Sequence, residues 1–214
     1  MDKAIIVGAG TYGQVYAEYL KDSKQYEIIG FLDDDANKHG QNVNGISVIG
    51  SVSELNNMKD NQEIAVFVPI GNNKTRIDIL NNAKTLNFKT PSFIHSSVCI
   101  HSTVKIGASV YILPVTNIMP HTIIEDNVMI SMGVNIAHHT TLRCGCFLSQ
   151  GVNVGASIVI CEKAFLGIGS TIMTGIKGIG INATIGAGAV IIKDVPSNAV
   201  VVGNPGQIIK YNNA

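Results

Sequence analysis

Two stretches of this chain carry residue types that do chemistry. Near the start, Gly8-Ala9-Gly10-Thr11-Tyr12-Gly13 matches G-x-G-x-x-G, after the short aliphatic run at 3–7 and at the head of a segment with helical character. Glycines at that spacing let a phosphate approach the backbone, and a helix N-terminus behind them offers unpaired N–H groups and partial positive charge. A second aliphatic run, 26–32, ends in Asp33-Asp34-Asp35, where a carboxylate can accept from a ribose hydroxyl or a base N–H. Further along stands the doublet His138-His139. Imidazole is the side chain whose ordinary pKa, about 6.5, suits proton transfer near neutral pH.

The glycine stretch sits in an order of elements that fits nucleotide binding. Residues 3–7 read as a strand, 11–20 as a helix turning Val15, Tyr19 and Leu20 toward a sheet, and 26–32 as a second strand. A loop with a short edge strand follows over 40–50, then a strand over 63–69. A second glycine turn, Ile70-Gly71-Asn72-Asn73, precedes a helix over 74–86. Two such turns on one edge suggest a bound nucleoside diphosphate. The competing reading is that the glycines only make tight turns. A dinucleotide dehydrogenase fits less well, because it needs two βαβαβ halves and about ninety residues precede the repeat described next.

From residue 94 every sixth residue is Ile, Leu or Val. Fourteen consecutive hexads open in this way, the last at Ile172, and after one extra residue, Gly178, the register resumes at Ile179, Ile185 and Ile191. An aliphatic period of six held over about a hundred residues marks a solenoid, specifically a parallel β-helix. The fifth hexad position is small or β-branched (Val98, Thr116, Thr140, Cys146, Ala164), as a triangular coil needs near its corners. Three hexads make a coil of 18 residues, and coils stack at about 4.8 Å. One coil beyond His138 comes Ala156, and one coil before His139 comes His121, so each pair is expected to stack. The chain therefore divides into an α/β Rossmann-like domain over 1–90 and an all-β parallel β-helix over 91–214.

Composition narrows the classes. The formal net charge is zero, 14% of residues are charged and no basic run occurs, which argues against nucleic acid as a partner. The mean hydropathy of +0.28 comes from the Ile-rich repeat, and with no unbroken apolar stretch of about 18 residues, membrane insertion is not expected. The N-terminal run reads as a first buried strand rather than a signal peptide. Cys99, Cys144, Cys146 and Cys161 form no C-x-x-C pair and read as reduced thiols of a cytoplasmic protein.

Taken in order, Gly8-Ala9-Gly10, Phe31-Leu32-Asp33-Asp34, the Gly71-Asn72-Asn73 turn, the hexapeptide solenoid and the ending Val202-Gly203-Asn204-Pro205 resemble the sugar O-acyltransferases of the sialic-acid type and their relatives, the nucleotide-amino-sugar N-acetyltransferases of the bacillosamine and perosamine pathways. The resemblance covers essentially the whole chain. It implies a left-handed coil, a homotrimer with active sites between neighbouring subunits, a nucleotide-sugar held by the N-terminal domain, and acetyl-CoA as co-substrate with no metal. It places the histidine base at His138, third in its hexad, and the backbone oxyanion donor at Ala156. Around the nucleotide-sugar it places Gly8, Gly10, Tyr12, Gly13, Asp33, Asp34, Gly71 and Asn72. Coenzyme A falls near Ala156, Gly175 and Gly188.

The chain departs from this family at three positions. His139 stands where an Asp or Glu usually orients and polarises the base, a task imidazole is not expected to perform. Phe147 stands where a further histidine approaches the thioester, and Tyr12 replaces a histidine of the first glycine turn. The expected activity is N-acetylation of a nucleotide-linked amino sugar. The alternatives are O-acetylation of a sialic-type sugar and a non-catalytic nucleotide-sugar-binding scaffold. A zinc carbonic anhydrase shares the solenoid but requires H-x-x-x-x-H, which is absent, and His95 and His101 read as structural corner residues.

Overall fold

Ala4, Ile5, Ile6 and Val7 are all fully buried, and such a continuous apolar run suits a strand covered on both faces. They belong to β1 (Asp2–Val7), an inner strand of the sheet in the first of two units, Met1–Pro91 and Ser92–Ala214. The computed structural model describes residues 1–58 and 61–212. After β1 come α1 (Thr11–Ser23), β2 (Tyr26–Leu32), β3 (Asn42–Val43), β4 (Ile46–Gly50), β5 (Ile64–Phe67) and α2 (Asn73–Thr85). The sheet order is β3-β4-β2-β1-β5, with β4, β2, β1 and β5 parallel and β3 antiparallel at the edge.

The buried face of α1 differs from the expected one. Gly13, Tyr16, Ala17 and Leu20 are buried, while Tyr19 is half-buried and Val15 is 40% exposed. The rotation has a steric cause. A Cβ at position 13 would overlap Gly8 O, so the helix makes its closest approach through Gly13, and the residues three, four and seven further on share its face.

The second unit is a left-handed parallel β-helix. Each strand of the hexad coils has two residues and ends on the leading aliphatic of a hexad, as in Asn117–Ile118, Asn135–Ile136 and Asn153–Val154. Strands pair in parallel one coil apart, Ile118 with Ile136 and Ile136 with Val154. The extra Gly178 lengthens one coil, so Ile160 pairs with Ile179 and Leu166 with Ile185, and the inward pattern continues unbroken. Three sheets of six, five and eight strands form the faces. The core is a column of Ile, Leu and Val with small residues between them. The inward Thr116 and Thr140 hydroxyls are paired, with Ser131 O and Gly155 O, which removes the penalty for burying them, whereas the buried Ser170 hydroxyl has no hydrogen-bond partner among the described residues. At the far end Ala199–Val202 and Gln207–Tyr211 add an antiparallel pair to one sheet.

The chain turns the corners through left-handed residues stacked in columns. One column is His121 (φ 62°), His139 (φ 59°), Ser157 (φ 59°) and Gly175 (φ 102°). Another is Val115, Gly133, Gly151, Gly169 and Gly188. No helix among the described residues is long and apolar enough to cross a membrane.

The same hexad position differs in weight along the column, since Leu148 is fully buried and Ile94 is 40% exposed in the first coil. Leu148→Ala should lower stability by about 2–5 kcal/mol in guanidinium unfolding followed by circular dichroism, and Ile94→Ala by well under half of that. Equal effects would contradict this account of the core.

Candidate active site

Two of the three glycines in the first turn are required by the fold. Gly8 has φ +99°, which side chains rarely adopt, and Gly13 lets α1 touch β1. Gly10 is different. It caps α1 with φ −73° and ψ 177°, values open to any residue, and a Cβ there would meet nothing within 4 Å. No contact among the described residues asks for glycine at this position. The bare surface it leaves lies against the N–H groups of the first turn of α1, where a phosphate would approach.

Asp33 is engaged within the protein. Its Oδ2 accepts the Ala9 N–H at 2.9 Å and the Lys38 ammonium at 2.9 Å, and Oδ1 accepts the Asp35 N–H at 2.9 Å. Partial burial pushes the carboxyl up, but the bonds from Lys38, Asp35 and Ala9 and the charge of Lys38 outweigh it, so its pKa lies below the ordinary value. Lys38 is raised in turn, chiefly by its bond to Asp33. This carboxylate therefore ties the end of β2 to the glycine turn, where an open ligand contact was expected. Asp34 is exposed, with Oδ1 accepting the Val52 N–H at 2.9 Å. Tyr12 is half-buried and sits edge-on to Tyr16, centroids 5.5 Å apart.

In the second turn Asn72 caps α2 by accepting the Thr75 N–H at 3.0 Å, with exposed Gly71 beside it. Arg76, which motif reasoning passed over, shapes this turn from beneath. It is fully buried and donates to Ile70 O and to Asn73 Oδ1, both at 2.8 Å. Nothing in a single sequence separates such an arginine from a solvated one. The hint was its place one turn beyond an asparagine cap.

In the solenoid His138 and His139 are exposed at the corner between Asn135–Ile136 and Thr141–Leu142. The expected stacking is present, with the His121 and His139 ring centroids 4.7 Å apart and the planes tilted by 41°. The Nδ1 atoms of His138 and His139 lie 3.0 Å apart. This revises the expectation for position 139. His139 brings no carboxylate charge, yet a neutral imidazole offers a lone pair that can orient its neighbour.

Register places Ala156 beside His138 in the next coil, and the Ser157 N–H donates to His138 O at 3.0 Å. The Ala156 N–H, however, already donates to Thr174 Oγ1 at 3.1 Å, a partner the repeat arithmetic did not supply. Gly155 is bare of necessity, because a Cβ there would clash with the Thr174 N and Oγ1. Beside this corner opens a groove of about 400 Å³, lined by Asn117, Asn135, Asn153, Ala137, Gly155 and Thr174 among others. Its asparagines form a row, each amide donating to the next at 3.0 Å. Gly175 and Gly188 are exposed at two different corners with open space about them. Phe147 lies on another face, 7% exposed and edge-on to Phe165.

Other groups serve the fold. His95 and His101 accept the N–H of Ser97 and Thr103 at their own corners. A second groove lined by Lys105, Glu125, Asp126 and Cys144 has its carboxylates engaged by Arg143 and by the backbone N–H groups of Cys144 and Ala108. Among the described residues no three His, Cys, Asp or Glu side chains converge as a metal-holding group.

Residues 3–83 match the PglD N-terminal domain. The chain is similar to the acetyltransferase domain of PglB from Neisseria gonorrhoeae FA1090, at 30% identity over 98% of this chain and 100% of that one, with a TM-score of 0.91. That domain has also been solved in complex with acetyl coenzyme A. A variant of GDP-perosamine N-acetyl transferase from Caulobacter crescentus, in complex with CoA and GDP-perosamine, is similar at 25% identity over 98% of each chain, with a TM-score of 0.90. Among curated proteins, the serine acetyltransferase of Mycobacterium tuberculosis is 48% identical over 48 residues, 22% of this chain and 20% of that protein. The matched stretches span about a quarter or less of the first curated relatives.

Asp33 yields a pH prediction. Its depressed folded pKa means that its contribution to stability is complete above the ordinary aspartate value, about 3.9, and is lost as pH falls through the lower folded value. In urea unfolding the wild type should exceed Asp33→Asn near neutrality, and the two should converge as pH drops through that window. A gap independent of pH would refute the assignment.

Proposed function

The chain belongs to the family of the PglB acetyltransferase domain, and from that premise we propose that it transfers the acetyl group of acetyl-CoA to the amino group of a nucleotide-linked amino sugar. The observation that carries the proposal is the exposed His138 beside a long groove, one coil from a backbone N–H held by a neutral hydroxyl. The relatives' complexes with acetyl coenzyme A, and with CoA and GDP-perosamine, support the two substrate classes.

In this mechanism the sugar amine attacks the thioester carbonyl carbon. The new C–N bond forms while the amine's proton passes to Nε2 of His138. The resulting oxyanion draws the Ala156 N–H away from Thr174 Oγ1, since a charged acceptor outcompetes a neutral one. Collapse breaks the C–S bond, and the coenzyme A thiolate leaves and takes the proton from His138. In the proposed site Gly10 leaves room for the diphosphate, with Gly8, Tyr12, Gly13, Asp34, Gly71 and Asn72 shaping its surroundings, and Asp33 acts indirectly by holding the turn. Coenzyme A runs along a groove between solenoids, toward the Gly175 corner of one copy and the Gly188 corner of another.

The proposed assembly is a homotrimer. Val115, Met132 and Ile168 are exposed along one corner and Met119, Met173 and Ile192 along another, apolar edges that a second copy would cover. Four free cysteines fit a reducing cytoplasm.

Turnover followed with a thiol reagent across UDP-, dTDP- and GDP-linked amino sugars tests the proposal, and its failure on all of them would leave the scaffold alternative. Two variants should split the kinetics. His138→Ala should lower kcat by about 10²–10⁴-fold with KM little changed. Gly10→Val should raise KM for the sugar nucleotide while sparing coenzyme A binding. The same loss in both parameters for both variants would point to misfolding and away from these roles.

A further inference from the structure

A histidine can act as a base at Nε2 only if its proton resides on Nδ1, and an imidazole free in solution does not hold that tautomer. The Nδ1 atoms of His138 and His139 are 3.0 Å apart, so one of them must carry the hydrogen and the other the lone pair. The two possibilities have opposite consequences. If His139 donates, the lone pair of Nδ1 on His138 is consumed, Nε2 carries the proton, and His138 cannot take another from a nucleophile at that atom. If His138 donates, its Nε2 lone pair faces outward and the ring is fixed in direction.

The surroundings hold His139 for this task. It occupies a left-handed corner (φ 59°), directly over His121 in the same conformation (φ 62°), and their rings stack with centroids 4.7 Å apart. The backbone beneath the His121 ring is held in turn, its main-chain N–H donating to Thr103 Oγ1 at 3.0 Å. The His138 and His139 ring centroids are 5.2 Å apart with the planes twisted by 88°, a separation that lets the two Nδ1 atoms face each other, each along its own ring plane.

Resting on the proposed role of His138, we propose that His139 is a positioning residue: it accepts the Nδ1–H of His138 through its own Nδ1, and so selects the tautomer whose Nε2 receives the proton of the attacking amine. A neutral lone pair thereby does the orienting work of a carboxylate.

The test has a structural arm and a kinetic arm. Selective ¹⁵N-histidine labelling gives six side chains to resolve, and His138→Ala and His139→Gly assign the pair. At about pH 8, above the ordinary imidazole value, the ¹⁵N shifts should show Nδ1–H on His138 and a bare Nδ1 on His139. Finding Nε2–H on His138 overturns the proposal. This arm needs no substrate, so it can fail while the acetyltransferase reading stands, or hold while that reading falls.

In the kinetic arm, His139→Gly keeps the left-handed corner without strain but removes the acceptor. It should lower kcat about 10²-fold, the scale of a misplaced catalytic group, with KM for both substrates unchanged. His139→Asn should restore most of the loss. Asparagine tolerates the left-handed conformation, and its Oδ1 is attached to Cγ, as Nδ1 is in histidine, so it can accept the same hydrogen. Full activity in His139→Gly, or no recovery in His139→Asn when circular dichroism shows both folded, would overturn the proposal.

Discussion

Everything in the second unit depends on the parallel backbone ladder between one coil and the next. Each two-residue strand donates to and accepts from its neighbours one coil away, so a residue's place along the axis is fixed by its number alone. A single flexible corner could not hold an imidazole at a set distance from a given amide. A stacked corner can, because the coil above and the coil below constrain it. The histidine pair, Ala156 and Thr174 are positioned by this ladder before any side chain makes its own contact.

The first unit solves a related problem by leaving atoms out. Gly13 brings α1 against β1, and Gly8 takes a conformation that other residues rarely adopt, so the turn between them is narrow and reproducible. Asp33 and Lys38 then brace it from the end of β2. Arg76 does the same for the second turn, donating to a carbonyl and a side-chain oxygen from a buried position. Rigid turns held from behind leave their outer surfaces uncommitted, as the nucleotide-sugar site proposed above would require.

Much of this was legible in the sequence. The hexad period predicted the coil, its register and the neighbours of His138 and His139, because a ladder with a fixed repeat turns spacing into contact. The extra Gly178 was visible as a phase break. The α1 face was misread because apolarity pointed to Val15 and Tyr19, whereas a glycine with no hydropathy signal decided which face turned inward. The Thr174 bond to Ala156 escaped because repeat arithmetic aligns backbones and does not say which amide a side chain will occupy. The geometry of His138 and His139 escaped for a similar reason: a left-handed corner swings one ring toward the other, and residue types alone do not report that. Arg76 left only the hint of its place one turn beyond the Asn72 cap, because burial of a single arginine depends on tertiary packing.

The half-exposed first coil has a consequence for motion. A stack whose members touch only their neighbours loosens from its ends, so backbone hydrogen exchange should run in a gradient along the axis, fastest where Ile94 and Ile100 lie partly open and slowest in the middle coils. His138 lies in those middle coils, insulated on both sides from terminal breathing. The outer coils then act as buffers for the precision of the inner ones, which gives a reason for the repeat to continue beyond the coils that carry the histidines.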